Sequence, residues 1–547
     1  MLMIPKGRFS GFGATRDTAK RAILALSRSN FGKLRFMIVN LQYRRERDLN
    51  SVGQPGVERQ AKKELIIWIA FICLILLGLA HRYNNYNFIV NSLWAEDGPI
   101  FFNGAQDRGL ASLAAPYAGY LHVYARAFAL VATIFPLSAL PYVYFSGWLL
   151  SIVLVFWAIR RIVPSCGSEW VNAATAVIAV GLMLYQPHSG ETILSLTNAQ
   201  WWLALILAMI CCFPTRFGPR CLPLVAVISL TGPFSILYFP VAAFIGMREK
   251  QWRIPLVVCA GAAIQIYFLL TSPRAIGQAD GNIYHWITAI VTFLTFGIKS
   301  WVVRIAAIAF WVLLTVSLFR ADMNRRMLVA CAAIVYAAGL YSIKDMPSVI
   351  SPIGNGSRYF VVPYALSIAY VMLQARRGDR FAIFAAILLA VPVANRINKN
   401  FPQEARFYEQ YVALLKYESS LKIPLAPSVP GNDWPLEIRN QNVLNASNFA
   451  VEPTRVDQKT FNLSAESCSE ADGVAVVLDA VQSLPGPVVV EWFSPEVKPS
   501  SARRSYPAGS NRIQIAFEKE KAPIDIRLIF AAEGGEAEVS NVKVICL

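Results

Sequence analysis

Residues Leu65–Ala80 read LIIWIAFICLILLGLA and carry no charge. A helix needs about 20 apolar residues to cross the hydrocarbon core of a bilayer, so this run predicts a first membrane-spanning helix at the short end of the usual range. Residues 81–120, which follow it, predict an exported loop. In that loop the sequence WAEDGPIF, Trp94–Phe101, places two adjacent carboxylates just outside the helix. They are either ordinary solvated loop residues or the reactive centre of a membrane enzyme.

Composition extends the membrane interpretation to most of the chain. The 547 residues are 55% hydrophobic and 16% charged, with a mean hydropathy of +0.44, whereas soluble domains carry about 25% charged residues. Further apolar runs recur from Leu121–Leu140 to Phe381–Asn395. The sequence therefore predicts an α-helical polytopic membrane protein, with about 10–12 spans over residues 65–395.

Two features make the predicted topology irregular. The apolar run Leu222–Gly246 is interrupted by Thr231-Gly232-Pro233, which predicts a short hairpin or a re-entrant pair whose backbone is buried in protein or lines a wet cavity. Simple alternation of spans also places Arg160-Arg161 on the exported side, although basic residues favour the cytoplasmic side.

The net charge of +17 is segregated along the chain and does not indicate nucleic-acid binding. Residues 1–64 have a net charge of +9, residues 65–395 have +11 and residues 396–547 have −3. A basic arm before the first span is typical of a cytoplasmic N-terminus. Arginine-rich connectors later in the chain, Arg216/Arg220, Arg320/Arg325/Arg326 and Arg376/Arg377/Arg380 among them, predict cytoplasmic loops.

Residues 396–547 differ from the apolar region before them. Asn400–Leu421 predicts a helical connector, and short β-branched segments separated by Pro, Gly and Ser follow it. This pattern predicts an exported all-β domain of the sandwich or jelly-roll type. Cys468 and Cys546 both fall in this domain, and an oxidising compartment favours a disulfide between them.

Candidate functional residues form three clusters at the ends of apolar runs. The first joins Glu96 and Asp97 to His122 and Arg126, which lie four apart and share one helical face. Ionisable groups at the mouth of a span usually line a site or a pathway, although a solvated loop with an interfacial aromatic belt explains the same residues.

The other two clusters contain groups suited to a sugar and a phosphate. Glu191, Asn198, Gln200 and Trp201 offer hydrogen bonds and a stacking surface; a capped helix start at Thr197 or Asn198 is the alternative. The third cluster is Arg358 and Tyr359, in which the guanidinium is a natural fork for a phosphate. An interfacial Arg-Tyr pair that only anchors the helix explains them equally well.

These features together resemble the GT-C superfamily of polytopic glycosyltransferases. The resemblance rests on the acidic motif in the first exported loop, the irregular spans and the exported β domain, with the series WAEDGPIF, PYAGYLH, TNAQWW and GNGSRYFVVPY typical of bacterial membrane proteins placed near that group. It implies that Glu96 or Asp97 is the catalytic carboxylate and that Arg358 holds a lipid-linked donor phosphate. The adjacent Glu-Asp pair departs from an acid-x-acid spacing, which leaves open which carboxylate acts and whether both bind Mg²⁺ or Mn²⁺.

The function expected from this resemblance is transfer of a sugar from a polyprenyl-phosphate donor to a glycan, lipid or protein acceptor. The expected location is the bacterial inner membrane, with the C-terminal domain periplasmic or extracellular. No nucleotide-binding glycine motif is present, which disfavours a cytoplasmic nucleotide-sugar enzyme. Two alternatives remain: a transporter or flippase for a lipid-linked substrate, and a non-catalytic subunit of envelope polysaccharide assembly.

Overall fold

A computed structural model describes most of the chain from Pro55 to Leu547. Outside the described residues lie 1–54, 84–88, 90–92, 165–167, 187–189, 273–279, 346–355, 398–407, 430–431, 440–448, 451–453, 457–459, 465–472, 484–485, 495–496, 507–508, 519–524 and 531–536. Most of the predicted N-terminal arm and Cys468 therefore fall outside the description. Residues 1–74 and residues 75–547 form two separate units.

Helices occupy the region that the sequence assigns to the membrane. In chain order they are α1 (Pro55–Tyr83), α2 (Asn103–Arg108), α3 (Val123–Ala132), α4 (Leu140–Ile162), α5 (Glu169–Leu184), α6 (Ala199–Cys212), α7 (Pro214–Phe217), α8 (Leu222–Ser229), α9 (Phe234–Glu249), α10 (Arg253–Thr271), α11 (Ile283–Leu294), α12 (Trp301–Leu318), α13 (Met323–Ser342), α14 (Arg358–Ala375), α15 (Arg380–Ile397) and α16 (Tyr408–Leu414).

Five segments in the described part of the chain are long and apolar enough to cross a membrane. They are Lys62–His81, Leu137–Ile162, Arg253–Thr271, Trp301–Leu318 and Met323–Ser342, and several shorter apolar helices accompany them. Large apolar side chains such as Leu256 and Ile305 are exposed on these helices, as expected of surfaces that face lipid. These features suggest membrane association, and the count of about 10–12 spans stays a prediction.

The apolar run Leu121–Leu140 is not one continuous helix. α3 ends at Ala132, and the chain turns through Pro136, whose backbone is extended, before α4 begins at Leu140. Proline lacks the N–H that a helix interior uses, and the extended backbone of Pro136 separates the two helices. At about 1.5 Å per residue, α3 is about 15 Å long, which is too short to cross a bilayer. The structure therefore shows two helical segments in place of one continuous helix over Leu121–Leu140, and the side on which Arg160-Arg161 lies stays a prediction.

The predicted break at Thr231-Gly232-Pro233 separates α8 from α9. Its backbone is hydrogen-bonded to the start of α3: Gly232 N donates to Leu121 O (2.9 Å), Val123 N donates to Leu230 O (3.2 Å) and Tyr124 N donates to Thr231 Oγ1 (3.1 Å). The irregular backbone is thus satisfied within the protein, as the hydrocarbon environment requires.

The C-terminal region forms antiparallel sheets, which agrees with the predicted β domain. A two-stranded hairpin pairs β1 (Ser420–Val429) with β2 (Asn432–Arg439). A five-stranded sheet has the order β4-β5-β10-β7-β8 and a four-stranded sheet has the order β3-β11-β6-β9. Their strands are β3 (Phe449–Ala450), β4 (Thr454–Arg455), β5 (Thr460–Ser464), β6 (Gly473–Gln482), β7 (Gly486–Ser494), β8 (Val497–Tyr506), β9 (Gly509–Glu518), β10 (Asp525–Phe530) and β11 (Ala537–Cys546).

Buried residues of both larger sheets belong to one hydrophobic cluster. Val476 and Val544 come from the four-stranded sheet, and Val488 and Leu528 come from the five-stranded sheet. Cys546, at the end of β11, is disulfide-bonded. Because Cys468 lies outside the described residues, its pairing with Cys546 stays a prediction.

The β1–β2 hairpin packs against the acidic loop of the membrane region. Leu425 and Leu436 are buried, and a Cβ on Gly98 would lie 2.5 Å from Leu425 Cδ1 and 3.1 Å from Leu436 Cβ. A second contact joins α16 to the turn before α4, where Tyr408 donates a hydrogen bond to Leu137 O (2.8 Å). The C-terminal region therefore holds the loop that carries Glu96 and Asp97.

Candidate functional site

One cavity of about 160 Å³ brings the three predicted clusters together. We call it the aromatic cavity, because rings from several segments contribute to its walls. Its lining includes Glu96, Tyr117, Tyr120, His122, Thr197, Asn198, Gln200, Trp201, Pro233, Phe234, Gly339, Ser342, Arg358 and Tyr359. The first loop, the start of α6, the break before α9, the end of α13 and the start of α14 thus meet at one place.

The two adjacent carboxylates have different surroundings. Asp97 is completely buried and is absent from the lining. Its Oδ1 accepts hydrogen bonds from Thr197 N (3.0 Å) and Thr197 Oγ1 (2.5 Å), and its Oδ2 accepts one from Trp94 N (3.0 Å). Asp97 therefore fastens the first loop to the start of α6, whereas Glu96 is half-buried and faces the cavity.

Burial also changes the acidity of Asp97. Loss of solvent raises its pKa to about 7, even though the hydrogen bonds from Thr197 and Trp94 act in the opposite direction. Desolvation disfavours the charged form of a carboxyl group, and donors favour it. The carboxyl of Asp97 is thus poised between two protonation states near neutral pH.

Tyr117 is the direct partner of Glu96. Its hydroxyl donates a hydrogen bond to Glu96 Oε1 (3.2 Å), and burial together with the negative charge of Glu96 raises the pKa of the phenol. The phenol therefore stays protonated and keeps donating. This bond fixes one carboxylate oxygen of Glu96 and leaves the group facing the cavity.

Several buried polar atoms around the cavity have no partner among the described residues. Both ring nitrogens of His122, Oε1 of Gln200 and Nε1 of Trp201 make no hydrogen bond there, and the three side chains are at most 8% exposed. A buried polar group without a partner costs about 1–3 kcal/mol. Because these side chains line one cavity, they are suited to a ligand rich in hydroxyl groups.

Aromatic rings hold His122 in place. The imidazole centroid lies 4.7 Å from that of Tyr120, 5.5 Å from Phe101 and 5.7 Å from Tyr117. On the opposite wall Trp201 packs edge-on against Tyr359 (5.5 Å) and Phe234 (5.2 Å). Rings of this kind offer apolar faces to a sugar while their polar edges remain available.

Arg358 enters the cavity from the first turn of α14, and Glu191 fixes that turn. Glu191 Oε1 accepts a hydrogen bond from Gly356 N (3.0 Å), and Oε2 accepts one from Arg358 N (3.2 Å). The Arg358 guanidinium lies 3.6 Å from Glu191 Oε2, and 36% of its side chain is exposed. Glu191 therefore braces the helix start and is absent from the cavity lining, and its predicted binding of substrate stays a prediction.

Arg126 and Asn198 make contacts within the protein, and their predicted binding of substrate stays a prediction. Arg126 is buried and absent from the lining; its guanidinium stacks over the Phe101 ring at 5.0 Å. Asn198 lines the cavity, yet its Nδ2 donates to Glu191 O (2.8 Å) and Ser195 Oγ (3.1 Å). The cap suggested for α6 at Asn198 is not formed by its side chain.

The predicted binding of Mg²⁺ or Mn²⁺ by Glu96 and Asp97 stays a prediction. Both carboxylate oxygens of Asp97 accept hydrogen bonds from Thr197 and Trp94, and Asp97 is absent from the cavity lining. Within the part of the chain that is described, no three His, Cys, Asp or Glu residues group as metal ligands.

Several residues that line the aromatic cavity were not among the site residues predicted from the sequence. Tyr117 and Tyr120 stand in the quoted PYAGYLH motif, and their aromatic spacing next to His122 was the available signal. Gly339 and Phe234 lie inside apolar runs, where no sequence signal separates them from ordinary core residues.

Comparison with known proteins adds no relative. No protein-family model matches this chain, and neither a curated protein nor a solved structure matches it.

Proposed function

We propose that this chain is a membrane glycosyltransferase that moves a sugar from a polyprenyl-phosphate donor to an envelope glycan, lipid or protein acceptor. The observation that supports it most is the meeting of Glu96 and Arg358 in one cavity with unpartnered His122, Gln200 and Trp201 groups. A carboxylate, a cation and neutral polar groups match an acceptor hydroxyl, a phosphate and a sugar respectively.

In this proposal each group has a separate role. Arg358 binds the donor phosphate, for which a guanidinium offers two parallel hydrogen bonds, and Glu191 holds the helix turn that presents it. Glu96 accepts the proton of the acceptor hydroxyl as general base, and Tyr117 orients the carboxylate. His122, Gln200 and Trp201 bind sugar hydroxyl groups.

The chemical step is a displacement at the anomeric carbon of the donor. The acceptor oxygen forms a bond to that carbon, the bond between the carbon and the phosphate oxygen breaks, and its electron pair stays on the phosphate. The proton of the acceptor hydroxyl passes to Glu96. Arg358 stabilises the negative charge that develops on the leaving phosphate.

We further propose the arrangement in the cell. The chain resides in the bacterial inner membrane, its N-terminal arm is cytoplasmic and the aromatic cavity opens on the exported face. The C-terminal sheets form an exported β-sandwich, and their neighbouring β1–β2 hairpin braces the loop of Glu96, a role supported by its packing against Gly98.

One observation favours a transporter as the second candidate. Pro233 and Phe234, at the break between α8 and α9, line the cavity, and interrupted helices at substrate sites are typical of transporters. The two candidates differ in chemistry, because a transporter moves its substrate without forming a glycosidic bond.

Lipid-linked intermediates of a strain that lacks this chain test the proposal. We expect a polyprenyl-phosphate sugar to accumulate, as resolved by mass, and the corresponding residue to be missing from an envelope glycan. The wild-type chain and Asp107→Asn should restore the glycan, since Asp107 is exposed in the same loop and absent from the lining. Glu96→Gln should not.

The same strain separates the alternatives. If the glycosidic bond forms normally in isolated, permeabilised membranes of the deletion strain, the chain moves a substrate and the transferase proposal is rejected.

A further inference from the structure

A second cavity of about 300 Å³ lies among arginine side chains. Arg216, Asp322, Asn324, Arg325 and Arg377 line it, and we call it the arginine cavity. These residues come from α7, the start of α13 and the turn after α14. The sequence marks them only as separate basic connectors.

The arginine cavity lies at the other ends of helices that also border the aromatic cavity. In α13, Gly339 lines the aromatic cavity and Arg325 lines the arginine cavity. Arg358, at the start of α14, lines the aromatic cavity, and Arg377, just after the end of α14, lines the arginine cavity. At about 1.5 Å per residue these spacings, 14 and 19 residues, correspond to about 21 Å and about 28 Å. These distances approach the hydrocarbon thickness of a bilayer, about 30 Å.

The lining of this cavity has more positive than negative charge, since it contains three arginines and one aspartate. Asp322 Oδ2 is shared between Arg325 Nη1 (3.3 Å) and Arg377 Nη1 (2.9 Å). Arg216 has no carboxylate partner in the described part of the chain, and its charge and that of Arg377 repel the charge of Arg325. Two further acids lie close by. Glu249 accepts a hydrogen bond from Asn324 (2.6 Å) and Asp379 accepts one from Ser317 (2.6 Å), and neither lines the cavity.

Arg325 supplies the observation that points to a ligand. Its side chain is 3% exposed, and its Nη1 donates to Gln374 Oε1 (3.2 Å). Its Nε, which is buried, has no hydrogen-bond partner among the described residues. A buried guanidinium that has a donor without a hydrogen-bond partner, next to two further cations, is suited to a bidentate anion.

We propose that the arginine cavity binds a phosphate group. Three guanidinium groups facing one carboxylate leave positive charge for a phosphate monoester or diester, and Thr215 and Asn324 add neutral polar contacts. The phosphate comes either from an anionic lipid headgroup or from a free phosphate compound. This site is separate from the aromatic cavity and does not depend on the proposed transferase activity.

Thermal unfolding of the full chain in a neutral maltoside detergent tests the site. The probes are inorganic phosphate, dihexanoyl-phosphatidylglycerol and dihexanoyl-phosphatidylcholine, each titrated at low ionic strength. We expect saturable stabilisation by phosphatidylglycerol, by inorganic phosphate or by both, and weaker stabilisation by the zwitterionic lipid. A response to inorganic phosphate identifies a site for free phosphate, whereas a response to phosphatidylglycerol alone identifies a headgroup site.

Two exposed arginines of one connector give a matched pair of variants. Arg216→Gln should weaken the apparent affinity about tenfold or more, because it removes a charge-assisted contact. Arg220→Gln, which removes the same charge outside the lining, should leave the affinity unchanged. Arg325→Lys keeps the charge but loses the planar fork and should weaken binding as well. Equal responses of Arg216→Gln and Arg220→Gln, or no saturable response to any probe, would overturn the proposal.

Discussion

The aromatic cavity and the arginine cavity border the same helices but differ in how their side chains are satisfied. Around the aromatic cavity the unpartnered groups are neutral or aromatic, in His122, Gln200 and Trp201, and the one cation in its described lining, Arg358, is matched by Glu191. Around the arginine cavity three guanidinium groups face one carboxylate, that of Asp322, so positive charge is in excess. The first environment suits a ligand of many hydroxyl groups and the second suits a compact anion.

Among the predictions for the aromatic cavity, substitution of Glu96 has the largest expected effect. Glu96→Gln should lower the rate of sugar transfer by roughly 10²–10⁴-fold, because the amide cannot accept a proton. The measurement is transfer by purified protein in proteoliposomes, with Asp107→Asn as the control of equal chemistry. An unchanged rate for Glu96→Gln would show that this carboxylate is not the base.

Arg358→Lys tests the phosphate contact of the same cavity. The ammonium keeps the charge but does not reproduce the planar fork of a guanidinium. We expect the KM for the donor to rise roughly 10–100-fold, the range for loss of a hydrogen bond to a charged group. Arg304→Lys, at the first turn of α12 and outside the lining, should leave the KM unchanged. Equal KM values for both variants would remove Arg358 from the donor site.

Gly232→Ala tests the broken helix that closes the aromatic cavity. Gly232 has a φ of +81°, and an added Cβ would lie 2.5 Å from Gln200 Oε1. We expect the free energy of unfolding to fall by about 1–3 kcal/mol, because backbone strain and overpacking act together. Gly218→Ala is the control, because Gly218 also has a positive φ (+68°) but open space around it. Thermal unfolding in detergent should show the larger loss for Gly232→Ala.

Asp97→Asn is expected to change the pH dependence of stability more than the chemistry. Because burial raises the pKa of Asp97 to about 7, the folded protein holds a proton between about pH 4 and pH 7 that the unfolded chain releases. The stabilisation from protonated Asp97 is therefore fully present below about pH 4 and is lost as the pH rises through about 7.

The Asp97→Asn variant should not show this loss of stability with rising pH. Thermal midpoints of the wild-type protein and Asp97→Asn at pH 5, 6, 7 and 8 measure it, and Asp107→Asn should keep the wild-type profile. The Asp97→Asn substitution also lowers stability by about 1–3 kcal/mol, because its NH₂ replaces one carboxylate oxygen and faces the donors of either Thr197 or Trp94. A wild-type slope in Asp97→Asn would contradict the assignment.

The sequence predicted the clusters of the aromatic cavity better than the roles within them. Glu96, His122, Trp201 and Arg358 were recognised because polar groups at the ends of apolar runs are unusual. The division between Glu96 and Asp97 was not predictable, because Asp97 is fixed by Thr197, one hundred residues later.

The break in the apolar run Leu121–Leu140 was not predicted, for a related reason. Hydropathy alone does not show that Pro136 ends the run, or that the start of α3 is bonded to the break before α9. The basic connectors were predicted to be cytoplasmic loops, which stays a prediction; only the tertiary structure brings Arg216, Arg325 and Arg377 around one cavity.

The packing of the β1–β2 hairpin on Gly98 sets an order of assembly. The acidic loop is synthesised early, whereas Leu425 and Leu436, which cover it, are more than three hundred residues further along the chain. Contacts of such long sequence separation form slowly, because the chain between them must first be closed into a loop. The loop of Glu96 can reach the geometry seen here only after the C-terminal region has been synthesised and has docked, so a chain interrupted before Leu425 lacks the contacts that hold this side of the cavity.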